Sequence, residues 1–307
     1  MVAKIQFIIL FIYFQTLFVH AQTDTARLKE YLRTLTNTEG FRTYKDTLTL
    51  NKAADFIHAQ FIRYADTVFE QPFKVNGVTY KNIIASFGTH NRQRIIVGAH
   101  YDVCGNQSGA DDNGSGIAGL LEIARLLRGK HLDKRIDVVA FTLEEPPFFK
   151  TQQMGSFQYA RSLYEAQIPV MGMVSFDMIG YFDDTKGSQS YPLVFLSWFY
   201  GSHGNFITLA KRYKKGSFVR KFSKHFQQAA QIKTVDFAAP AWLPITDRSD
   251  HRCFWQFGYS ALLITDTALW RNHAYHKTTD TIEKLNFEKM GAVIEATYKA
   301  LIAVCNE

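Results

Sequence analysis

Histidines and carboxylates recur in this chain at spacings that suit a divalent metal. His100 and Asp102 stand at i and i+2 at the end of the apolar run Ile95, Ile96 and Val97, so on a strand both side chains leave the same face. A glycine-flanked loop then brings Asp111 and Asp112 just ahead of an apolar-periodic helix. Glu144 and Glu145 follow another apolar strand, Asp177 a third, and His276 lies beyond a fourth, in A-Y-H-K-T-T-D-T. Imidazole and carboxylate together favour zinc or a similar divalent ion.

Each segment has a plainer explanation when taken alone. An H-x-D pair also occurs as a surface or capping pair, adjacent glutamates start solvated helices, and an aspartate at a helix start caps it. Their convergence is what carries weight. Two zinc ions held close together need a bridging carboxylate, with imidazole and carboxylate ligands on either side and a shared water or hydroxide. A further carboxylate off the metal must take the proton of that water and pass it to the leaving amine. Paired glutamates meet both needs, one binding and one free.

The elements that must position these residues read as an α/β domain. Apolar spacing predicts helices over Thr25 to Leu35 and Lys52 to Tyr64. Val68 to Val75 and Tyr80 to Phe87, joined by Asn76-Gly77, predict a hairpin. Strand and helix then alternate: strands at Arg94 to Ala99, Ile136 to Leu143 and Val170 to Phe176, helices at Ser115 to Leu127 and Ser156 to Tyr164. Further on come Leu193 to Ser197 in the same series, helices around Phe206 to Tyr213 and Val219 to Ile232, a strand at Ala261 to Thr265 and a last helix from Phe287 to Val304. This alternation implies a three-layer α/β/α domain with a mixed, mainly parallel central sheet and helices on both faces. Ligands then bind beyond the carboxyl ends of the strands, where the acids and histidines fall.

Composition fits a globular protein with a substantial core, with 47% hydrophobic and 21% charged residues. Lys4, the apolar run Ile5 to Val19 and the small residues at Val19 and Ala21 read as a secretory signal over residues 1–21, leaving a single domain over 22–307 in a secreted or periplasmic protein. The run is short for a membrane span and is broken by Gln6, Gln15 and Thr16, so no stable membrane insertion is expected after cleavage. Losing Lys4 takes the formal charge from +7 to +6. The basic residues are scattered, with short clusters at Lys211 to Lys215 and Arg220 to Lys224 and no nucleic-acid motif, so nucleic acid is not an expected partner. The three cysteines, Cys104, Cys253 and Cys305, are too few for a disulfide scaffold. A Cys104 to Cys253 bridge and free buried thiols both remain open.

The set G-A-H-Y-D, G-A-D-D-N-G-S-G, E-E-P-P-F-F, F-D-M-I-G-Y and Y-H-x-x-x-D-T resembles the dizinc aminopeptidases of the bacterial leucyl aminopeptidase type, peptidase family M28-like proteins related to glutamate carboxypeptidase and glutaminyl cyclase. The resemblance runs from about Tyr80 to the C-terminus. It implies the zinc-dependent exopeptidase fold, two zinc ions per chain and a peptide substrate. Carried over by position, His100 and Asp177 bind one zinc, Glu145 and His276 the other, and Asp111 bridges them. Glu144 is the general base and acid, and Asp102 accepts the second ring N–H of His100. It also implies a cis peptide directly after the bridging aspartate, at Asp111–Asp112, with Asp112 otherwise a helix cap. Ser249 to Trp255 would line the pocket; Asp250 and His251 receive no catalytic role, and a helix start with Phe254 and Trp255 in the core explains the segment equally well.

Two other activities share the scaffold. A glutaminyl cyclase would use a single zinc on the equivalents of Asp111, Glu145 and His276, and a non-catalytic binding protein would keep the fold alone. Aminopeptidase action is the expectation, and the aromatic content of 15% suits an apolar side-chain pocket.

Overall fold

The computed structural model describes residues 23–213, 216–243 and 245–307. The expected signal segment, residues 1–21, lies outside them. Among the described residues no helix is long and apolar enough to cross a membrane.

The strands are β1 (Thr67–Val75), β2 (Val78–Phe87), β3 (Arg94–His100), β4 (Arg135–Phe141), β5 (Val170–Phe176), β6 (Asp183–Lys186), β7 (His203–Gly204), β8 (Phe206–Arg212), β9 (Lys233–Ala239) and β10 (Ala261–Thr265). The helices are α1 (Thr25–Thr36), α2 (Thr47–Ile62), α3 (Gly116–Leu127), α4 (Gly155–Glu165), α5 (Leu196–Tyr200), α6 (Gly216–Ala229), α7 (His251–Gln256) and α8 (Phe287–Cys305). An eight-stranded sheet has the order β1-β2-β4-β3-β5-β10-β8-β9, and β6 and β7 form a small separate pair. The β4-β3-β5-β10 centre is parallel, with antiparallel pairing where β2 meets β4 and where β8 meets β10.

Local chemistry explains several boundaries. Asp24, Asp46 and Asn286 each accept a backbone N–H three residues on and so start α1, α2 and α8. Asn76 and Gly77 have φ of 50° and 84°, the left-handed pair that a two-residue hairpin requires. The expected helix around Phe206 to Tyr213 is instead β8, an interior strand between β10 and β9. A run of seven residues holding β-branched Ile207 and Thr208 suits a strand better than a helix, and length was the cue that distinguishes them. Leu193 to Ser197 leads into the short helix α5 rather than a strand, and β9 was not anticipated.

Strand alternation divides the core in two. Ile83, Ile95, Val97, Val138 and Val174 pack with α1, α2, α3, α6 and α8. Ile84, Ile96, Val139 and Met173, from the other face, pack with Tyr159 and Leu163 of α4 and Phe254 and Trp255 of α7. The sheet is thus covered on both faces, as a parallel centre requires.

The parallel centre sends β3, β4, β5 and β10 out at one edge, so His100, Glu144 and Glu145, Asp177 and His276 all arise there. One buried residue ties the N-terminal helices to that edge. Arg42, 2% exposed, lies between α1 and α2. Its guanidinium donates to the carbonyls of Tyr101 at 3.0 Å, Ser108 at 2.9 Å and Gly109 at 3.1 Å, and to that of Leu35. Burial lowers its pKa to about 10, against the pull of Asp280, Asp102 and Asp112. Gly109 itself has φ of +59°, and a Cβ there would strike Val103 and the Asp112 carbonyl. Arg42→Ala should therefore cost about 3 kcal/mol, since charge-assisted bonds are lost and buried carbonyls are left without a donor. Urea unfolding measures this, and an unchanged midpoint would contradict the clamp.

Candidate metal centre

His100 closes β3 and projects Nε2 into a ring of acids. Nε2 lies 3.5 Å from Asp112 Oδ1, 3.8 Å from Glu144 Oε2 and 3.9 Å from Asp177 Oδ1. His276 Nε2 lies 3.2 Å from Asp112 Oδ2 and 3.2 Å from Glu145 Oε2. Asp112 therefore turns one carboxylate oxygen to each histidine.

These separations suit metal ligands. Two atoms each about 2.05 Å from one tetrahedral ion stand roughly 3.3 Å apart. His100 Nε2, Asp112 Oδ2, Glu145 Oε1 and His276 Nε2 are buried and make no hydrogen bond, although buried polar atoms almost always have a partner. His100, Asp112 and Asp177 bring ligand atoms within 4.8 Å of one another, and so do Cys104, Glu145 and His276. The donor set of nitrogens and carboxylate oxygens, with a thiol nearby, fits a divalent transition metal.

Electrostatics point the same way. Burial raises the Glu144 carboxyl well above its ordinary range, with His100 opposing and Glu145 adding to the rise. Burial, then Asp112, pushes Glu145 up to about 8. Burial disfavours the protonated histidines, yet Glu144, Asp102 and Asp177 hold His100 well above its usual pKa. The carboxylates of Asp112 and Glu145, each 3.2 Å from Nε2, likewise outweigh burial and carry His276 up to about 10. The cluster thus retains protons to offset its own negative charge, a task a divalent cation performs in their place.

Surrounding groups hold the ligands from behind. Asp102 accepts the backbone N–H of Glu144 at 3.2 Å and of Glu145 at 3.0 Å. Its carboxylate is thus occupied by that loop and stands 3.6 Å from His100 Nδ1. Nδ1–H donates instead to the Asp102 main-chain carbonyl, at 3.1 Å, and this leaves the Nε2 lone pair free for a metal. Leu143, Met178 and His276 have φ of 60°, 56° and 57°. Such left-handed non-glycine residues cost roughly 1–3 kcal/mol each and gather where a site demands a particular direction.

The structure places Asp112 rather than Asp111 between the two histidines. Asp111, expected to bridge, faces away from the histidines: Oδ1 accepts from Gly180 N at 3.0 Å and Oδ2 from Asn272 Nδ2 at 2.9 Å. Adjacent side chains leave opposite sides of this loop, so Asp112 takes the place between His100 and His276. The cis peptide is correspondingly Asp112–Asn113 rather than Asp111–Asp112. Nor is Asp112 a helix cap; Asn113 Oδ1 accepts the N–H of Gly116 at 3.0 Å and that of Met178 at 3.2 Å. His100, Glu144, Glu145, Asp177 and His276 come together as expected.

Asp280 and Asn272 were missed by the sequence reading. The Asp280 carboxylate accepts N–H from Asp111 and Asp112, both at 3.0 Å, fixing the loop that presents Asp112. Its signal was in plain view, as the aspartate of Y-H-x-x-x-D-T. His251 is buried, with burial lowering its pKa to about 3; Nε2–H donates to Thr246 O at 2.6 Å, so it serves the fold. Asp250 is buried with both carboxylate oxygens unpartnered, and burial raises it to about 7. The cysteines are all free, with no Cys104 to Cys253 bridge.

A pocket opens directly onto Asp112, Glu144, Glu145, Asp177 and His276, and its wall includes Tyr191, Leu196, Phe206, Phe237, Leu263 and Trp270. The acids and histidines thus cluster at the strand ends of a mixed α/β sheet and open on an apolar pocket. Residues 82–301 match the sequence profile of Peptidase family M28, and the chain belongs to that family. It is 36% identical over 315 residues to the uncharacterized protein YfbL of Escherichia coli K12, an alignment covering 96% of this chain and 97% of that one. Among solved structures, the LapA aminopeptidase of Legionella pneumophila superposes with a TM-score of 0.74 at 19% identity, covering 93% of this chain and 73% of that one. Porphyromonas gingivalis glutaminyl cyclase gives a TM-score of 0.67 at 20% identity, with 91% and 98% covered. Likeness at these identities is one of fold.

The exchange of roles between the two aspartates is directly testable. Asp112→Asn should weaken divalent-metal binding more than about 100-fold, beyond the usual effect of an outer-shell change. Asp111→Asn should weaken it by no more than about tenfold to 100-fold. Calorimetric zinc titration compares them, and the reverse ranking would restore Asp111 as the bridge.

Proposed function

We propose that the chain is a secreted dizinc exopeptidase that removes N-terminal residues from peptides. The observation carrying this reading is the placing of the Asp112 carboxylate between two histidines, 3.5 Å from His100 and 3.2 Å from His276, each with a further acid beside it. Asp112, His100 and Asp177 would hold one zinc, and Asp112, Glu145 and His276 the other. Membership of a peptidase family supports hydrolysis of a peptide bond. When bound, zinc would polarise the scissile carbonyl and acidify a water.

The chain's own residues supply the remainder. Glu144 faces the cleft, with His100 Nε2 at 3.8 Å from its Oε2, and its buried carboxyl has the raised basicity that proton transfer near neutrality requires. It takes a proton from the attacking water as the oxygen adds to the carbonyl carbon. It returns that proton to the nitrogen as the C–N bond breaks. The apolar pocket wall receives the side chain of the terminal residue. Arg248 also lies on the wall, and a carboxypeptidase-type reading would rest on it. Export is supported by the apolar run Ile5 to Val19.

Zinc-loaded protein assayed on aminoacyl and N-blocked peptides tests the reading. Glu144→Gln should lower kcat by about 10²- to 10⁴-fold with zinc content unchanged. Cleavage restricted to N-blocked substrates would reject aminopeptidase action. A single tightly held zinc with cyclisation of N-terminal glutamine would make the chain a glutaminyl cyclase. Zinc should also raise stability by about 2.7 kcal/mol at a free concentration a hundred times its Kd, read as a rise in Tm reversed by a chelator.

A further inference from the structure

The motif H-Y-D-V-C places a thiol four residues after His100, and nothing in the hydrolytic reading uses it. Cys104 is half-buried and unbridged. Its sulfur, a carboxylate oxygen of Glu145 and a ring nitrogen of His276 all lie within 4.8 Å of one another. Glu145 is 4% exposed, and its Oε1 is buried with no hydrogen-bond partner. That oxygen is an independent sign that a ligand is missing at this end of the site. His276 Nε2, also unpartnered, completes the opening.

We propose that Cys104 is the fourth protein ligand of the metal position formed by Asp112, Glu145 and His276. This rests on the metal-centre reading above and extends it to a residue outside the ligand set implied there. A sulfur about 2.3 Å and a nitrogen about 2.05 Å from one tetrahedral ion stand roughly 3.5 Å apart, so the cluster, whose ligand atoms lie within 4.8 Å of one another, would draw together on binding. On coordination the sulfur–proton bond breaks, the proton passes to solvent and the thiolate pair binds the metal. The two positions then differ. The one at His100 and Asp177 has nitrogen and oxygen donors alone, while the one at Glu145 and His276 adds a soft donor. Soft thiolate ligation favours zinc, cadmium and cobalt over magnesium, calcium or manganese.

Cobalt(II) substitution in the full chain provides the test, because its visible d–d bands report binding and a near-ultraviolet sulfur-to-cobalt charge-transfer band reports a thiolate ligand. The wild type should show both. Cys104→Ser should retain the d–d bands, lose the charge-transfer band and bind cobalt about tenfold or more weakly. Visible bands without a charge-transfer band in the wild type would overturn the thiolate ligand while leaving the metal centre intact. So would a band that persists in Cys104→Ser. Absence of any d–d band would overturn the metal centre and the thiolate ligand together.

Discussion

Concentrated negative charge in a place with little water is the constraint on which this structure depends. Asp112, Glu144, Glu145 and Asp177 converge at the ends of the parallel strands and are almost wholly buried. Carboxylates so placed require protons, cations or N–H donors. The fold answers differently for two sets of acids. Asp102, Asp111, Asp266 and Asp280 receive backbone N–H groups from Glu144 and Glu145, from Gly180, from Tyr181 and Ala268, and from Asp111 and Asp112. The inner set receives almost none and faces two histidines. Outer acids brace loops, and inner acids are left for a cation.

This division makes the loops and the site a single arrangement. The Asp102 carboxylate fixes the backbone of the glutamate pair, Asp280 fixes the turn bearing Asp112, and Asn113 joins that turn to the residue following Asp177. Each of these supports joins a different strand end to its neighbour. The left-handed backbone at Leu143, Met178 and His276 is tolerated because these cross-loop bonds over-determine it.

Much of this was legible in the sequence. The strand-helix alternation gave the layer order, and the acids after β4 and β5 fell where a parallel sheet places its ligands. The choice between Asp111 and Asp112 was not legible, since neighbouring acids in one loop differ only in the direction each side chain takes. That direction is set by Asp280, Gly180 and Asn272, which are remote in sequence. The strand β8 was misread as a helix because a short apolar run buried on both sides carries neither period clearly. Asp102 was correctly placed next to His100, but hydrogen-bond competition assigned its carboxylate to the glutamate loop.

Arg42 carries a consequence for where the domain ends. The family match begins at residue 82 and stops at residue 301, an interval that contains every candidate ligand. It omits α1, α2 and the guanidinium on which the carbonyls of Ser108 and Gly109 rest, together with Val304 and Cys305 of the core. A chain cut to that interval would keep the candidate ligands and lose the anchor of the loop that presents Asp112. The span matched by the family profile is therefore shorter than the span that packs together, and the surplus is α1, α2, β1 and the start of β2 at one end and the last turn of α8 at the other.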